Sequence, residues 1–468
     1  MGAKTDLDGG GEMRRFPRHG RVRWIVAIAI GLSAFALQEG LQWAMRSHAA
    51  QGTYFQQWSS ETIMHTVSVQ DLREHPWQSL MYLHIQPPVL DGIRAALCRL
   101  WPDDSGMVLV RRIDTGLYLV WTLFFALSAG LVFLWLSDLT NSGFAAAGAM
   151  LYLFHPAHVL FVTCPDVSMM TTVLVLWFYY ELWKVRSCNG RHVGILAALV
   201  LILFLTKAIV QLPMAGLVAV SLAMLRVPSR KVALFLLLTG GAMTAFLLKN
   251  YLVFGLTTTS SFTGRNLCRS LGDRPGQSVA LPADWPAGCR VPTPCPSVLV
   301  RETKIDGSPN LNQFRYLALD RVLMKRFREL LSRQTAVTLI NNYRQNIRLF
   351  FEPSSEFTAH EIVDRLPWRR AYDRVFSYPV LLVLLGGGLV VWTWMNWRTC
   401  LLSGVALLLP ATYIFLVSVV CEKGENMRFK YYLEPVMFVF LASQVYALWR
   451  KGLESALPAH GGPDGARV

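Results

Sequence analysis

Ten stretches, at roughly 24–45, 113–137, 142–162, 167–183, 193–206, 208–225, 232–254, 377–395, 400–420 and 431–449, are apolar over close to the about 20 residues that cross a hydrocarbon core. No other feature limits the fold as strongly. Backbone polar groups in lipid must find partners within their own segment, so such runs predict helices rather than open sheets. With 53% hydrophobic and 16% charged side chains and a mean hydropathy of +0.35, the chain is too apolar for a soluble protein of 468 residues. The expected fold is therefore an all-α polytopic membrane protein, a bundle of about ten transmembrane helices.

Charge then sets the expected orientation. Five arginines between positions 14 and 23 place residues 1–23, a polar and then basic tail, on the cytoplasmic side. The first apolar run is too long for a signal-peptide core and lacks a small-residue cleavage site, so it is expected to stay as an anchor. With that choice Lys184, Arg186 and Arg191, then Arg226, Arg230 and Lys231, then Arg398, and finally Arg450 and Lys451 with the tail 451–468, also fall inside. Two long segments, 46–112 and 255–376, must then face outwards, flanking a core at 24–254 and C-terminal helices at 377–450. This is the topology of a multi-pass plasma-membrane protein with both termini cytoplasmic. The second segment begins rich in Pro and Gly and turns helix-like from about 311 to 351, as a cap rather than a separate domain. The net charge of +15 is scattered through loops and does not form a basic face with interleaved aromatics, which excludes a nucleic-acid partner. Anionic lipid headgroups and phosphates account for it better.

Of the eight cysteines, Cys98, Cys164, Cys268, Cys289, Cys295 and Cys421 fall outside or near the outer interface, and Cys188 and Cys400 near the inner one. Cys289 and Cys295 are close enough to bridge, with Cys268 a competing partner. None has a zinc-ligand spacing, and no metal ligand is assigned.

The segment 46–112 holds Glu61, Asp71, Glu74, His75, His84 and Asp91. Within it "PVLDGIRAALCRLW" has apolar residues at 89, 90, 93, 96, 97, 100 and 101, the spacing of an amphipathic helix that starts after Pro87 and Pro88. On this reading Arg94 and Arg99 occupy its polar side, and the helix lies in the outer interface. Lys207 interrupts an apolar stretch, where a charge is costly enough to be functional, although the lysine can also snorkel to the interface. Asp166 follows Pro165 at the end of a run, a position that also suits a helix cap.

Four motifs, in order, carry a resemblance: "YLHIQPPVLDGI" (82–93) after an acidic loop, "HPAHVLFVTCPDVSMMTTVLVLWFYYELW" (155–183), "LILFLTKAIVQLP" (201–213) and "ENMRFKYYLEPVMFVFLAS" (425–443). The set resembles the GT-C superfamily of polyprenyl-phosphate-sugar transferases, which includes protein mannosyltransferases and aminoarabinose transferases of lipid A. The resemblance implies a GT-C-like bundle in which a sugar passes from a polyprenyl-phosphate donor to an acceptor hydroxyl or amine on the extracytoplasmic face, with inversion. It implies a carboxylate base, Glu61 first and Asp166 second, with Asp71 and Asp91 behind them. It also implies that Lys207, Arg428 and Lys430 hold the leaving phosphate, and that His84 and Gln86 bind donor hydroxyls or a second phosphate. The family commonly has Asp-Glu where this chain has Ser60-Glu61, which leaves the base open between Glu61 and Asp166. Some members use a divalent metal, but no tight Asp, Glu and His cluster is visible here, so the cofactor stays open. The rival reading is a transporter or flippase for a lipid-linked or amphipathic solute. Such proteins often show paired halves, which this sequence lacks.

Overall fold

The computed structural model describes residues 20–46, 59–185, 192–273, 293–358, 360–396 and 401–456. The basic stretch 1–19, the tail from 457, the Pro-rich stretch 274–292 with Cys289, and the positions Arg186, Cys188, Arg191, Arg398 and Cys400 lie outside them. Among the described residues the chain is helical, and its only strand-like feature is an isolated bridge between Thr303 and Pro309.

Five helices among the described residues are long and apolar enough to cross a membrane: Gly20–Ala44, Gly106–Leu139, Ser229–Phe254, Leu402–Cys421 and Asn426–Leu453. Two bent pairs bring the number up to 7. Ser142–Leu153 and Pro156–Val162 meet at 58°, where Pro156 lacks an N–H for the preceding helix and His155 Nδ1 caps the next one by accepting from Ala157 N–H at 3.2 Å. Arg369–Val375 and Val380–Trp394 meet at 52°.

The other three apolar runs are helices of a different kind. Val193–Thr206 and Leu212–Met224 have 14 and 13 residues. At 1.5 Å per residue each reaches only about 20 Å, short of a core about 30 Å thick. They are separated by the non-helical residues 207–211, with Pro213 opening the second. Ser168–Val185 ends on Tyr179, Tyr180, Glu181 and Lys184, which lower its hydropathy.

Small residues bring the first two long helices together. A Cβ on Gly31 would lie 3.1 Å from the Ala126 carbonyl oxygen, and one on Gly130 would lie 3.3 Å from that of Ala27. The four-residue spacing on both helices lets the backbones approach, a packing mode that needs no hydrophobic drive in lipid. At the same end Arg23 bonds Asp138, which also accepts from Tyr180 Oη at 3.1 Å.

The connections at the opposite end are joined to one another. The helix Ser229–Phe254 stops at Gly255, whose φ of 69° suits glycine, and the N–H groups of Gly255 and Leu256 return to the carbonyls of Tyr251 and Asn250. Next comes Thr263–Ser270, packed on Phe314–Arg333 so closely that a Cβ on Gly264 would sit 2.8 Å from the Asp320 carbonyl oxygen. The helical stretch expected over 311–351 is two helices, Phe314–Arg333 and Ala336–Phe350, broken where Thr335 caps the second. His84, Ser261 and Asn312 tie this region to the first connection.

Candidate functional site

Two carboxylate clusters occupy that end. The first is closed. Glu61 sits before the short helix Val69–Glu74, whose first N–H groups need acceptors. Its Oε1 accepts from Ser68 Oγ at 3.0 Å, Val69 N–H at 3.2 Å and Ile305 N–H at 3.3 Å, while Oε2 accepts from Arg94 Nη2 at 2.6 Å. Arg94 also reaches Asp91 at 2.7 Å and the Val67 carbonyl at 2.7 Å. The Glu61 and Arg94 side chains are 0% accessible. Burial works against the Arg94 cation, but Asp91 and Glu61 outweigh it and raise its pKa. From the second long connection, Lys304 Nζ donates to the carbonyls of Glu61 at 2.7 Å and Ile63 at 2.6 Å.

This corrects the expected face of the helix after Pro88. The helix is Val89–Cys98, and its buried stripe is Leu90, Asp91, Arg94, Ala95 and Cys98. Arg94 lies inside because two carboxylates there replace its water, which a solvent-facing position does not require.

The second cluster is open at its edge. Asp166 caps Ser168–Val185: its Oδ1 accepts from Ser168 N–H at 2.8 Å and its Oδ2 from Ser168 Oγ at 2.8 Å. Arg428 Nη1 lies 3.0 Å from Oδ2 and Lys207 Nζ 3.9 Å from it. Arg428 also pairs with Glu425, and Lys207 lies 6.0 Å from the centre of the Tyr432 ring. The side chains of Asp166, Arg428, Lys207 and Glu425 are 13%, 11%, 17% and 26% accessible. Around them stand Arg269, 3.5 Å from Glu422, and the half-buried His65 and Arg265. Burial and the charge of Glu425 raise the pKa of Glu422. Burial alone would raise that of Glu425 as well, but Arg428, His65 and Lys207 pull it below the ordinary carboxylate range.

The expected site residues therefore divide. Asp166, Lys207 and Arg428 come together from three separate motifs. Glu61 belongs to the closed cluster, whose Asp91 also accepts from Gln86 Nε2 at 3.3 Å. His84 is a buried strut: Nε2 faces the Asn312 carbonyl at 2.8 Å and so carries the proton, leaving Nδ1 to accept from Ser261 Oγ at 2.8 Å. Burial lowers its pKa to about 3. Asp71 pairs with Arg301 at 3.1 Å.

Lys430 stands apart from Arg428 because positions two apart on a helix face different ways. Its ammonium meets the Phe376 carbonyl and, at 3.1 Å, Glu434, which in turn lies 3.2 Å from His155 Nε2. Beside this trio is an apolar groove of about 780 Å³ lined by Phe144, Leu151, Tyr372, Phe376, Gly387 and Phe438, among others. Cys268 and Cys295 are unbridged thiols, so the alternative pairing between them is not formed. Among the described residues no group of three or more His, Cys, Asp or Glu is placed to hold a metal ion.

The sequence reading passed over His65, Arg265, Glu422 and Glu425. Glu425 had a visible signal, three residues before Arg428 and so one helical turn away. His65 had none beyond lying in the acidic connection. Comparisons with protein-family models, curated proteins and solved structures found no match to this chain.

Proposed function

We propose that the protein is a GT-C-like glycosyltransferase that moves a sugar from a polyprenyl-phosphate carrier to an acceptor hydroxyl or amine, inverting the anomeric centre. The observation that carries this reading is the meeting of Asp166, Arg428 and Lys207 within 3.9 Å, from three motifs spread over more than half the chain. An anionic donor needs fixed cations where charge develops on the leaving phosphate, and Lys207 and Arg428 supply them. Asp166 holds the nucleophile by accepting its hydrogen bond. The edge of the cluster admits a polar substrate, and the apolar groove suits an isoprenoid tail. Glu61, saturated by donors, holds the site's floor in place. In this reading Ser168–Val185, Val193–Thr206 and Leu212–Met224 also enter the bilayer, giving about ten crossings. The segments 46–112 and 255–376 face outwards, and the termini lie in the cytoplasm across a plasma membrane. No metal is assigned a part.

The test is release of polyprenyl phosphate by purified protein from a panel of labelled polyprenyl-phosphate sugars. Turnover with at least one donor, lost in Asp166→Asn, is expected. A protein that carries donor lipid between leaflets of a vesicle and never releases the phosphate would be a flippase instead.

A further inference from the structure

The helix expected in the outer interface, Val89–Cys98, turns its charged residues Asp91 and Arg94 inward. The shorter helix before it, Pro76–Met81, has the opposite arrangement. Its buried residue is Ser79, whose hydroxyl donates to the Asp71 carbonyl at 2.9 Å. Trp77 and Met81, one turn apart and so on one side, are 77% and 50% exposed. Arg73, Glu74, His75 and Gln78 are exposed beside them, which gives the segment a polar margin around an apolar tip.

A hydrogen bond fixes the height of this tip. Lys249, near the end of the spanning helix Ser229–Phe254, donates from Nζ to the Met81 carbonyl at 2.9 Å. Its ammonium stands 5.0 Å and 5.3 Å from the ring centres of Phe246 and Phe254. Counted from Lys231 at the other end of that helix, about 20 residues cross a hydrocarbon core about 30 Å thick, which brings the boundary to the turn of Tyr251. Lys249 lies about 3 Å along the helix from that level, and Met81, bonded to it, shares its depth.

We propose that Pro76–Met81 is a membrane foot, whose Trp77 and Met81 enter the phospholipid leaflet at the end of the molecule that carries both clusters. They lie where headgroups give way to chains. The partner is the lipid itself. The proposal needs only that Ser229–Phe254 crosses the bilayer, and it holds whether or not the protein transfers a sugar.

Tryptophan suits that depth, because its ring enters the chain region while the indole N–H stays with headgroups and water. Leu248, Tyr251 and Leu252 are exposed around Lys249, so the apolar tip continues the lipid-facing surface of the span. The polar margin then meets the headgroups. Beyond Met81 the chain runs through Tyr82, whose carbonyl accepts from Asn312 Nδ2 at 3.1 Å, to the strut at His84. The foot thus anchors both long connections to the leaflet.

The full chain in phosphatidylcholine vesicles tests this, with lipid chains that are plain, brominated near the glycerol end or brominated near the methyl end. Bromine quenches an indole that it touches, and the difference in fluorescence between the wild type and Trp77→Phe isolates Trp77. Expected is a loss of at least about half of the Trp77 signal with bromine near the glycerol end, and about twofold less quenching with bromine near the methyl end. A signal that iodide in the water quenches and neither bromolipid does marks a solvent-facing surface and overturns the proposal. A signal that no quencher reaches marks a surface covered by protein, a second copy of this chain included, and overturns it too. Should Trp77→Phe not fold, the wild type decides through a phosphatidylcholine with a diazirine near the glycerol end of its chain. Illumination must leave a lipid adduct on Trp77 or Met81, and adducts confined to the spanning helices overturn the proposal. Turnover enters none of these outcomes, so the transferase reading stands or falls separately.

Discussion

Glu61 and Asp166 each face an arginine at the same end of the molecule, yet the two regions are built for opposite ends. Around Glu61 every oxygen has a donor, both side chains of the pair with Arg94 are 0% accessible, and Lys304 closes the backbone over it. Around Asp166 the pairing is looser, with Lys207 at 3.9 Å and side-chain accessibilities of 11% to 26% across the cluster. A buried ion pair repays its dehydration only with close geometry and further hydrogen bonds, and the Glu61–Arg94 pair has them at every atom but Arg94 Nε. A charge cluster left open retains capacity for a ligand. The first region is a seam joining the two long connections, and the second is a partly accessible charge cluster.

The largest expected effect falls on the seam. Arg94→Met strands Glu61 and Asp91 in a dry site, and removing one partner from a buried pair costs about 3–5 kcal/mol. Folded, monodisperse protein in detergent should be lost or strongly reduced. Glu61→Gln leaves Arg94 its bond to Asp91 and costs less, about 1–3 kcal/mol. What remains folded should turn over at the wild-type rate per molecule, and a folded, inactive Glu61→Gln would move Glu61 from the seam to the reacting groups.

On the open cluster the expectation is reversed. Asp166→Asn keeps the cap on Ser168 N–H through its amide oxygen, so the melting temperature should change little. Turnover should fall by about 10³-fold, through loss of the group that orients the nucleophile. A variant that loses stability and activity together would erase the distinction between the two regions.

How legible each region was in the sequence follows from the same contrast. Asp166, Lys207 and Arg428 interrupt or flank apolar runs, where an isolated charge is expensive, so position alone marks them. The seam has no local sign. The partners of Glu61 stand 33 positions away at Arg94 and 244 away at Ile305, and only the fold shows that they meet. The helix from Val89 was legible from its proline start and its period, but its buried face was not. Asp91 and Arg94 compensate one another inside it, and an apolar count scores both as outward. The long helices could be read from length and apolarity. The breaks at His155 and Lys207 had local signals in Pro156 and Pro213.

A smaller effect separates the regions by pH. Burial, reinforced by the charge of Arg94, lowers the Lys304 pKa from 10.5 to about 8. Between those values the unfolded chain keeps a proton that the folded protein has released, so stability rises with pH across that window. The gain reaches about 3 kcal/mol at its upper end. Unfolding in detergent at a series of pH values from 7.5 to 10.5 should show this rise in the wild type. Lys304→Met should lack it, and identical slopes would mean that the lysine is not sealed in the seam.

The smallest effect concerns His84, the strut between the two connections, and runs the other way along the pH axis. Burial lowers its pKa from 6.5 to about 3 and outweighs the Asn312 carbonyl that accepts from Nε2, so the ring is neutral and Nδ1 accepts from Ser261. Below pH 6.5 the unfolded chain gains a proton that the folded protein refuses until about pH 3, so the contribution of His84 is complete above 6.5 and is lost as the pH falls. By pH 5 the loss is about 2 kcal/mol. His84→Gln keeps a donor and an acceptor but no titrating group, so its stability relative to wild type should improve steadily from pH 6.5 to 5.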